Sequence, residues 1–250
     1  MIPGKNWILL LTAILVIPLL MSACDSVSDH IALGDTYANQ GKLDNAITEY
    51  TRAIELTPKQ AAPYYKRGTI YNKKGKYDLA IADFTKAIDL SPSAEMYNER
   101  ALAYGSTGQL QLALADLDEA IKLNPKLATA FSNRGAAYIN IGEYDLAISD
   151  LSAAIGLDPY NANAYSNRGW AYFKVEYFES AINDFNSAIY LNPKLAIAYC
   201  NRGWVHYTKQ KFDLALADFK KTLELTNDPT LKQAAEQGIE YIESKQRPNQ

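Results

Sequence analysis

The side chains that most often carry catalysis or bind metals are scarce in this sequence of 250 residues, which has two cysteines and two histidines. A zinc site or a disulfide framework needs a cluster of such residues, whereas these four are scattered, as Cys24, His30, Cys200 and His206. No HExxH or GxSxG motif and no phosphate-binding glycine loop occurs. The sequence therefore predicts a protein that is not an enzyme and has no metal, other cofactor or small-molecule substrate.

Five arginines each precede an aspartate by sixteen residues. The pairs are Arg67 with Asp83, Arg100 with Asp116, Arg134 with Asp150, Arg168 with Asp184 and Arg202 with Asp218. A planar guanidinium can bind a carboxylate through two hydrogen bonds, so we interpret each pair as a structural clamp. A row of arginines that binds a partner is the alternative. The equivalent positions nearer the N-terminus hold Leu33 and Glu49, so the arginine is missing there.

A second series could recognise a peptide backbone, because an amide side chain both donates and accepts hydrogen bonds. It consists of asparagines 34 residues apart, and aromatic residues, which are common anchors at binding surfaces, follow closely in sequence. The asparagines are Asn133, Asn167 and Asn201, and the aromatic residues are Trp170, Phe173, Trp204 and Tyr207. The alternatives are asparagines that only cap or solvate a helix, and aromatic rings that pack between adjacent helices or under the C-terminal segment.

Both series follow a period that runs through most of the chain and decides its architecture. Prolines recur at intervals of 34, 33, 34 and 34 residues, at Pro58, Pro92, Pro125, Pro159 and Pro193. Alanines keep the same intervals, at Ala46, Ala80, Ala113, Ala147, Ala181 and Ala215. The period defines six repeats, the second one residue short: 27–60, 61–93, 94–127, 128–161, 162–195 and 196–229.

Each repeat has the pattern of two helices joined by a short turn. In the fifth repeat, Tyr165, Gly169 and Tyr172 fall at i, i+4 and i+7, which is one face of a helix. Glycine occupies the turn in the first four repeats, where a left-handed residue can end a helix, and Glu176 and Gln210 replace it in the last two. A proline preceded by a polar residue then stops the second helix.

These repeats resemble the tetratricopeptide repeat. The match consists of a small and an aromatic residue in the first helix, an alanine and a larger apolar residue in the second, and a closing proline. In the fourth repeat these are Gly135, Tyr138, Ala147, Leu151 and Pro159. The resemblance covers residues 27–229, with departures at His206, Thr222 and Asn227. It implies an all-α, right-handed solenoid of six helix-turn-helix repeats.

The resemblance also implies where a partner binds. In tetratricopeptide arrays the first helices line a concave groove, and the asparagine series resembles the ladder with which some of these superhelices hold extended peptides. The basic clamp used by other members for C-terminal carboxylates is absent from the corresponding slots. We therefore expect a peptide-binding groove formed by Asn133, Asn167, Asn201, Trp170, Phe173, Trp204 and Tyr207.

The residues after the last repeat predict a capping helix and a frayed tail within 230–250. Asp228 can cap a helix that opens at Pro229 and continues to about residue 244. Its apolar stripe consists of Leu231, Ala234, Ala235, Ile239 and Ile242. Such a helix would cover the last repeat, as the ends of a repeat array require.

The N-terminus has the layout of a signal peptide, with Lys5 followed by an apolar run from Trp7 to Met21. The sequence that ends at Cys24 resembles the bacterial lipobox, so we expect residues 1–23 to be removed and residues 24–26 to form a lipidated N-terminus. An uncleaved anchor or a plain secretory signal are the alternatives. Asp25 resembles the signal that retains lipoproteins in the inner membrane of enteric bacteria.

Composition and charge limit the partners further. The formal net charge is −3, so there is no basic surface for nucleic-acid binding. With 48% hydrophobic and 21% charged residues, the chain has the composition of a folded protein. We expect a membrane-anchored adaptor in the cell envelope, facing the extracytoplasmic side, that binds an extended segment of a partner protein. The alternative is a structural assembly lipoprotein, similar to pilotins, that uses its convex surface.

Overall fold

The computed structural model describes residues 26–246, and all the regular secondary structure in this range is α-helical. The helices are α1 (Val27–Asn39), α2 (Leu43–Leu56), α3 (Ala61–Lys73), α4 (Tyr77–Leu90), α5 (Ala94–Ser106), α6 (Leu110–Leu123), α7 (Ala128–Ile141), α8 (Tyr144–Leu157), α9 (Ala162–Lys174), α10 (Phe178–Leu191), α11 (Ala196–Thr208), α12 (Phe212–Leu225) and α13 (Pro229–Gln246). The predicted all-α fold of helix pairs followed by a C-terminal helix is confirmed. Between residues 26 and 246, no helix is long and apolar enough to span a bilayer.

The chain divides into two compact units between Ser91 and Pro92. Unit 1 contains α1 to α4 and unit 2 contains α5 to α13. The division falls at the end of the repeat that is one residue short. The predicted signal peptide, the acylation site at Cys24 and the tail from Arg247 to Gln250 lie outside the described residues.

Small residues bring the two helices of a repeat close together. In the fourth repeat Ala147 is fully buried, and Gly135 of α7 faces Leu151 of α8. A Cβ atom at Gly135 would lie 2.6 Å from Leu151 Cγ, which is closer than atoms can approach. The second helices place Phe185 and Phe219 at the position of Leu151, and both are fully buried. The spacing of apolar and small residues therefore determines which helix faces are buried.

The turns within repeats contain a residue in the left-handed conformation, as the glycine pattern predicts. Gly142 has φ of 82°, and the other turn glycines are similar. Glu176 and Gln210 keep the same geometry without being glycine, with φ of 64° and 56°. A side chain with a Cβ atom is disfavoured there, so the last two repeats contain a local conformational strain that the first four avoid.

Helix α13 covers the last repeat of unit 2. Asp228 caps it, because the Asp228 Oδ1 atom accepts a hydrogen bond from the backbone N–H of Leu231 at 2.8 Å. Its apolar stripe packs against α12, with Ala235 and Ile242 fully buried beside Phe219. A Cβ atom at Gly238 would lie 2.4 Å from the Phe219 ring. The helix therefore approaches α12 closely, and it ends two residues beyond the predicted end.

Candidate functional site

The arginine–aspartate pairs form in all five repeats that contain them. In the fourth repeat, Arg134 donates from Nε and Nη2 to the two carboxylate oxygens of Asp150, at 2.6 and 2.8 Å. The Asp150 side chain is 9% exposed and the Arg134 side chain 20%. The same two-bond geometry joins Arg67 to Asp83, Arg100 to Asp116, Arg168 to Asp184 and Arg202 to Asp218.

The third guanidinium nitrogen connects neighbouring repeats, which the sequence reading did not anticipate. Arg134 Nη1 donates to Asp118 at 2.7 Å, and Asp118 lies on the second helix of the preceding repeat. Two further arginines make the same contact with the residue sixteen positions before them. Arg168 Nη1 donates to Ser152 Oγ at 2.9 Å, and Arg202 Nη1 donates to Asn186 Oδ1 at 2.6 Å. In unit 1, Arg67 donates to Thr51 at 3.0 Å. These four arginines are used for structure, which argues against the partner-binding alternative for them.

The first repeat replaces the arginine with a histidine and an arginine from other positions, His30 and Arg52. Glu49 takes the place of the aspartate, with 6% of the residue exposed. It lies 2.7 Å from His30 Nδ1 and accepts a hydrogen bond from Arg52 at 2.8 Å. The buried carboxylate thus has partners although Leu33 stands where the arginine would be. His30 is a structural residue.

The second histidine, His206, is buried beside the last clamp. Its Nε2 atom lies 3.9 Å from Asp218 Oδ2, and its Nδ1 atom is buried without a hydrogen-bond partner. Burial lowers the pKa of His206, with Asp218 opposing that effect. His206 stands at the position of Tyr172 and lies in unit 2, whereas His30 lies in unit 1.

The asparagine series splits into one paired member and two free ones. Asn133 donates from Nδ2 to Asn98 Oδ1 at 2.9 Å, and only 6% of Asn98 is exposed. Within residues 26–246, Asn167 and Asn201 make no side-chain hydrogen bond and are partly exposed. Asn133 is therefore held by its neighbour, while Asn167 and Asn201 remain available to a ligand.

These two amides border an open pocket on the face formed by the first helices α7, α9 and α11. The pocket has a volume of about 300 Å³. It is lined by Ala136, Ile139, Asn140, Asn167, Trp170, Ile197 and Asn201. All seven side chains are uncharged, so the pocket presents amides around an apolar surface. We call these seven residues the first-helix pocket.

The four aromatic residues predicted to line the groove do not form one continuous surface. Trp170 lines the first-helix pocket and stacks against Phe173, with ring centroids 5.5 Å apart. Phe173 does not line the pocket; it packs on Phe178 of α10 at 6.1 Å. The assignment of Phe173 to a groove is therefore not supported by its position.

Two further aromatic residues lie under the C-terminal helix. Trp204 contacts Phe219 and Tyr241, with centroid distances of 5.3 and 6.2 Å. Tyr207 contacts Phe212 and Tyr241, and Lys245 of α13 lies 5.2 Å from the Tyr207 ring centroid. The alternative of packing under the C-terminal segment describes both residues. Both side chains are partly exposed, and their contacts with α13 favour this alternative over a wholly open groove.

Sequence reasoning missed four members of the first-helix pocket. Ala136 stands one repeat before Trp170, and Ile197 stands four residues before Asn201 on the same helix. Both could have been found by extending the register of Trp170 and Asn201 along the first helices. Ile139 stands one repeat before Phe173 and could have been found in the same way, whereas Asn140, in the last turn of α7, stands where the next repeat has Lys174.

The described residues hold no cluster suited to metal or thiol chemistry. In the range 26–246 there is no group of three or more His, Cys, Asp or Glu side chains able to bind a metal ion. Cys200 is buried, and burial raises the pKa of its thiol to about 11. A thiol with so high a pKa is a poor nucleophile at neutral pH.

Models of the TPR repeat match residues 34–75, 101–142 and 138–175, and models of the tetratricopeptide repeat match residues 61–93, 162–195 and 196–229. The chain belongs to the tetratricopeptide repeat family. Proteins of this family generally act as non-enzymatic adaptors between proteins, so the chain has the fold of a protein-binding scaffold. Among curated proteins, none matches the sequence.

Solved structures share this fold. A crystal structure of MamA is 30% identical, with a TM-score of 0.59, and the match covers 66% of this chain and 96% of that one. YrrB, described as a TPR protein with an unusual peptide-binding site, is 26% identical with a TM-score of 0.59, covering 76% and 95%. The APC/C hetero-tetramer Cut9-Hcn1 matches at 19% identity and a TM-score of 0.78, covering 88% of this chain. The match covers 44% of the length of that chain.

Proposed function

We propose that this protein is a non-enzymatic adaptor that binds an extended segment of a partner protein in the first-helix pocket, and that lipid on Cys24 holds it at a membrane of the cell envelope. The observation that carries the binding proposal is the pair of unpaired amides, Asn167 and Asn201, on either side of an apolar floor that includes Trp170. The printed description of YrrB as having a peptide-binding site supports it.

The amides suit the backbone of an extended chain. Asn167 and Asn201 are 34 residues apart and occupy the same position on neighbouring first helices. Each offers one donor group and one acceptor to a peptide group, whatever side chain that residue carries. Because neither amide has a hydrogen-bond partner within residues 26–246, a peptide that binds them breaks no hydrogen bond in that part of the protein.

The apolar part of the pocket suits one large side chain of that peptide. Ala136 is the small residue at the position that Trp170 fills in the next repeat, so it leaves space beside the ring. Ile139 and Ile197 complete the apolar lining. A volume of about 300 Å³ lies at the lower end of the range for ligand pockets. We infer that a single apolar residue anchors the partner while the amides bind its backbone.

The test measures affinity for a panel of unstructured peptides of unrelated sequence, each with one large apolar residue. Trp170→Ala should weaken binding about thirtyfold, the loss typical of an aromatic anchor. Asn167→Ala should weaken binding of every peptide by a similar, smaller factor, because it contacts backbone. Asn163→Ala, an exposed asparagine on the same helix, is the matched control and should leave affinity unchanged. Unchanged affinity in both pocket variants would exclude this site.

The anchoring proposal rests on the lipobox resemblance that ends at Cys24. One acyl chain binds membranes only marginally, so we expect a diacyl or triacyl modification. Mass spectrometry should find Cys24 acylated at the mature N-terminus, and Cys24→Ala should abolish both the acylation and the cleavage before this residue, leaving a longer precursor. Cys200→Ala is the matched control, because that thiol is buried, and it should leave membrane association intact. An unmodified Cys24, or a Cys24→Ala variant processed like the wild type, would contradict acylation. In an enteric host, Asp25 would place it in the inner membrane.

A second candidate is an assembly lipoprotein that contacts a folded partner through its second helices. Leucines at equivalent positions of α6, α8 and α12, namely Leu112, Leu146 and Leu214, are 48%, 48% and 50% exposed. Leu146→Ser should then disrupt a stable complex that Trp170→Ala leaves intact. The reverse result favours the first-helix pocket.

A further inference from the structure

We propose that unit 2 has a second binding site, separate from the first-helix pocket, that takes a proline-rich segment in the polyproline II conformation. The site is an open cleft between the loop that follows α8 and the C-terminal end of α10, with a volume of about 410 Å³. It is lined by Pro159, Tyr165, Asn186, Ser187, Tyr190 and Leu191. We call it the tyrosine cleft.

The two most exposed large hydrophobic side chains of the described residues lie at this cleft or directly beside it in sequence. Tyr190 lines it and is 85% exposed, and Tyr160, which follows Pro159 directly, is 82% exposed. Exposed rings of this size are costly to leave in water. The other repeats have a charged or a small residue at the positions of Tyr160 and Tyr190, so they expose no large ring there. These residues are Lys59, Ser93, Lys126, Lys194 and Asp228 for Tyr160, and Glu55, Asp89, Lys122, Gly156 and Glu224 for Tyr190.

The Tyr165 hydroxyl lacks a hydrogen bond that two equivalent tyrosines make. In the second repeat the Tyr64 hydroxyl donates to the Pro58 carbonyl at 3.3 Å, and in the sixth Tyr199 donates to Pro193 at 3.4 Å. Tyr165 occupies the same position beside Pro159, but within residues 26–246 its hydroxyl makes no hydrogen bond. The Tyr165 hydroxyl is therefore free to donate to a ligand, which the hydroxyls of Tyr64 and Tyr199 are not.

The polarity of the cleft suits a proline-rich chain. Asn186 Oδ1 already accepts a hydrogen bond from Arg202 at 2.6 Å, so the free part of that amide is its N–H donor. A polyproline II segment exposes backbone carbonyls and has no N–H group at its prolines, so it needs donors placed between aromatic rings. The hydroxyl oxygens of Tyr165, Tyr190 and Ser187 could also accept hydrogen bonds from a sugar, so the test includes a carbohydrate. None of the lining side chains is charged, which also suits an uncharged proline-rich ligand.

The test uses fluorescein-labelled decaproline and the full-length protein purified in detergent, with fluorescence anisotropy as the readout. We expect decaproline to bind, and Tyr190→Ala to weaken binding about thirtyfold. Tyr165→Phe keeps the ring over Arg168 and removes only the hydroxyl, so it should weaken binding about fivefold. Tyr177→Ala is the control, because Tyr177 is 63% exposed in the same repeat but does not line the cleft.

Two results would overturn the inference. One is a failure of decaproline to bind, or binding of a labelled Gly-Ser decapeptide or of chitohexaose in its place. The other is loss of decaproline binding in Trp170→Ala with Tyr190→Ala unaffected, which would place the peptide in the first-helix pocket. That second result would leave the proposed function standing, since the two sites share no residue.

Discussion

Arg134 donates two hydrogen bonds to the same carboxylate, that of Asp150, across the two helices of the fourth repeat. The geometry holds both side chains in one arrangement, and the carboxylate is nearly buried. Two rings, Phe131 and Tyr138, also lie within 6.0 Å of the guanidinium. The hydrogen bonds to Asp150 raise the pKa of Arg134 above its ordinary value, so the charge is permanent. The pair is therefore a structural unit that can be tested by removing either partner.

A double-mutant cycle should show strong coupling between these residues. Either Arg134→Ala or Asp150→Ala leaves the other charge without its main partner. The losses in unfolding free energy of the two single variants should therefore sum to about 2 kcal/mol more than the loss in the double variant. Urea unfolding of the four proteins measures the coupling. The pair of Lys122 and Glu119 is the control, because these side chains are 73% and 46% exposed, and it should show coupling close to zero. Additive costs in the buried pair would mean that it does not act as a clamp.

Replacing the strained turn residues with glycine should stabilise the protein. Glu176→Gly and Gln210→Gly should each raise the free energy of unfolding by about 1 kcal/mol, because glycine adopts positive φ without a Cβ penalty. Glu176→Ala removes the same side chain but keeps the Cβ atom, so it serves as the control and should give no gain. Equal melting temperatures for the glycine and alanine variants would show that the turn is not strained.

The two tryptophans should differ in their contribution to stability. Trp204→Ala removes a ring that packs on Phe219 and under Tyr241, and it should lower the free energy of unfolding by about 3 kcal/mol. Trp170→Ala should cost less, because part of that ring faces the first-helix pocket. Chemical denaturation followed by circular dichroism compares them. A larger loss in Trp170→Ala would place that ring in the core and remove the anchor of the proposed peptide site.

The stability of unit 2 should fall in mild acid because of His206. The charged and titratable groups facing it are Asp218, Arg202, Lys211 and Glu179, and burial outweighs them to lower its pKa. The unfolded chain binds the proton near the ordinary His pKa of about 6.5, so stability from this residue is present above that pH and is lost as the pH falls further.

The measurement compares melting temperatures at pH 7.5 and pH 5. His206→Tyr, which installs the residue that other repeats have at this position, should reduce the drop between the two pH values. His206→Phe should reduce it equally, because neither ring titrates in this range. A drop of the same size in all three proteins would assign the acid sensitivity to other groups.

The fold could be predicted from the sequence because the same residues recur in every repeat. The alanine at Ala147 and the glycine at Gly135 describe a close helix contact, and six copies of the pattern leave little freedom for another architecture. The clamp could also be predicted, since Arg134 and Asp150 keep a fixed separation. Its connection to Asp118 could not, because the acceptor differs in chemistry from one repeat to the next.

The site was harder to predict, because it depends on what covers each side chain. Trp170 and Trp204 occupy the same position on consecutive first helices, and nothing in their own repeats distinguishes them. The difference arises from α13, whose Tyr241 reaches Trp204 but has no counterpart over Trp170. The pairing of Asn133 with Asn98 likewise needs the neighbouring helix α5 to be in place.

The third nitrogen of each arginine gives the junctions of unit 2 different sensitivities to ionic strength. Arg134 meets a carboxylate at Asp118, whereas Arg168 meets a hydroxyl at Ser152 and Arg202 an amide at Asn186. Dissolved salt screens the first contact, whose Asp118 side chain is 59% exposed, and affects the two neutral acceptors much less. In an array where each repeat touches only its neighbours, the weakest junction decides where opening begins. At high salt, opening of unit 2 should therefore begin closer to the junction between α6 and α7 and farther from the C-terminal end, which α13 covers.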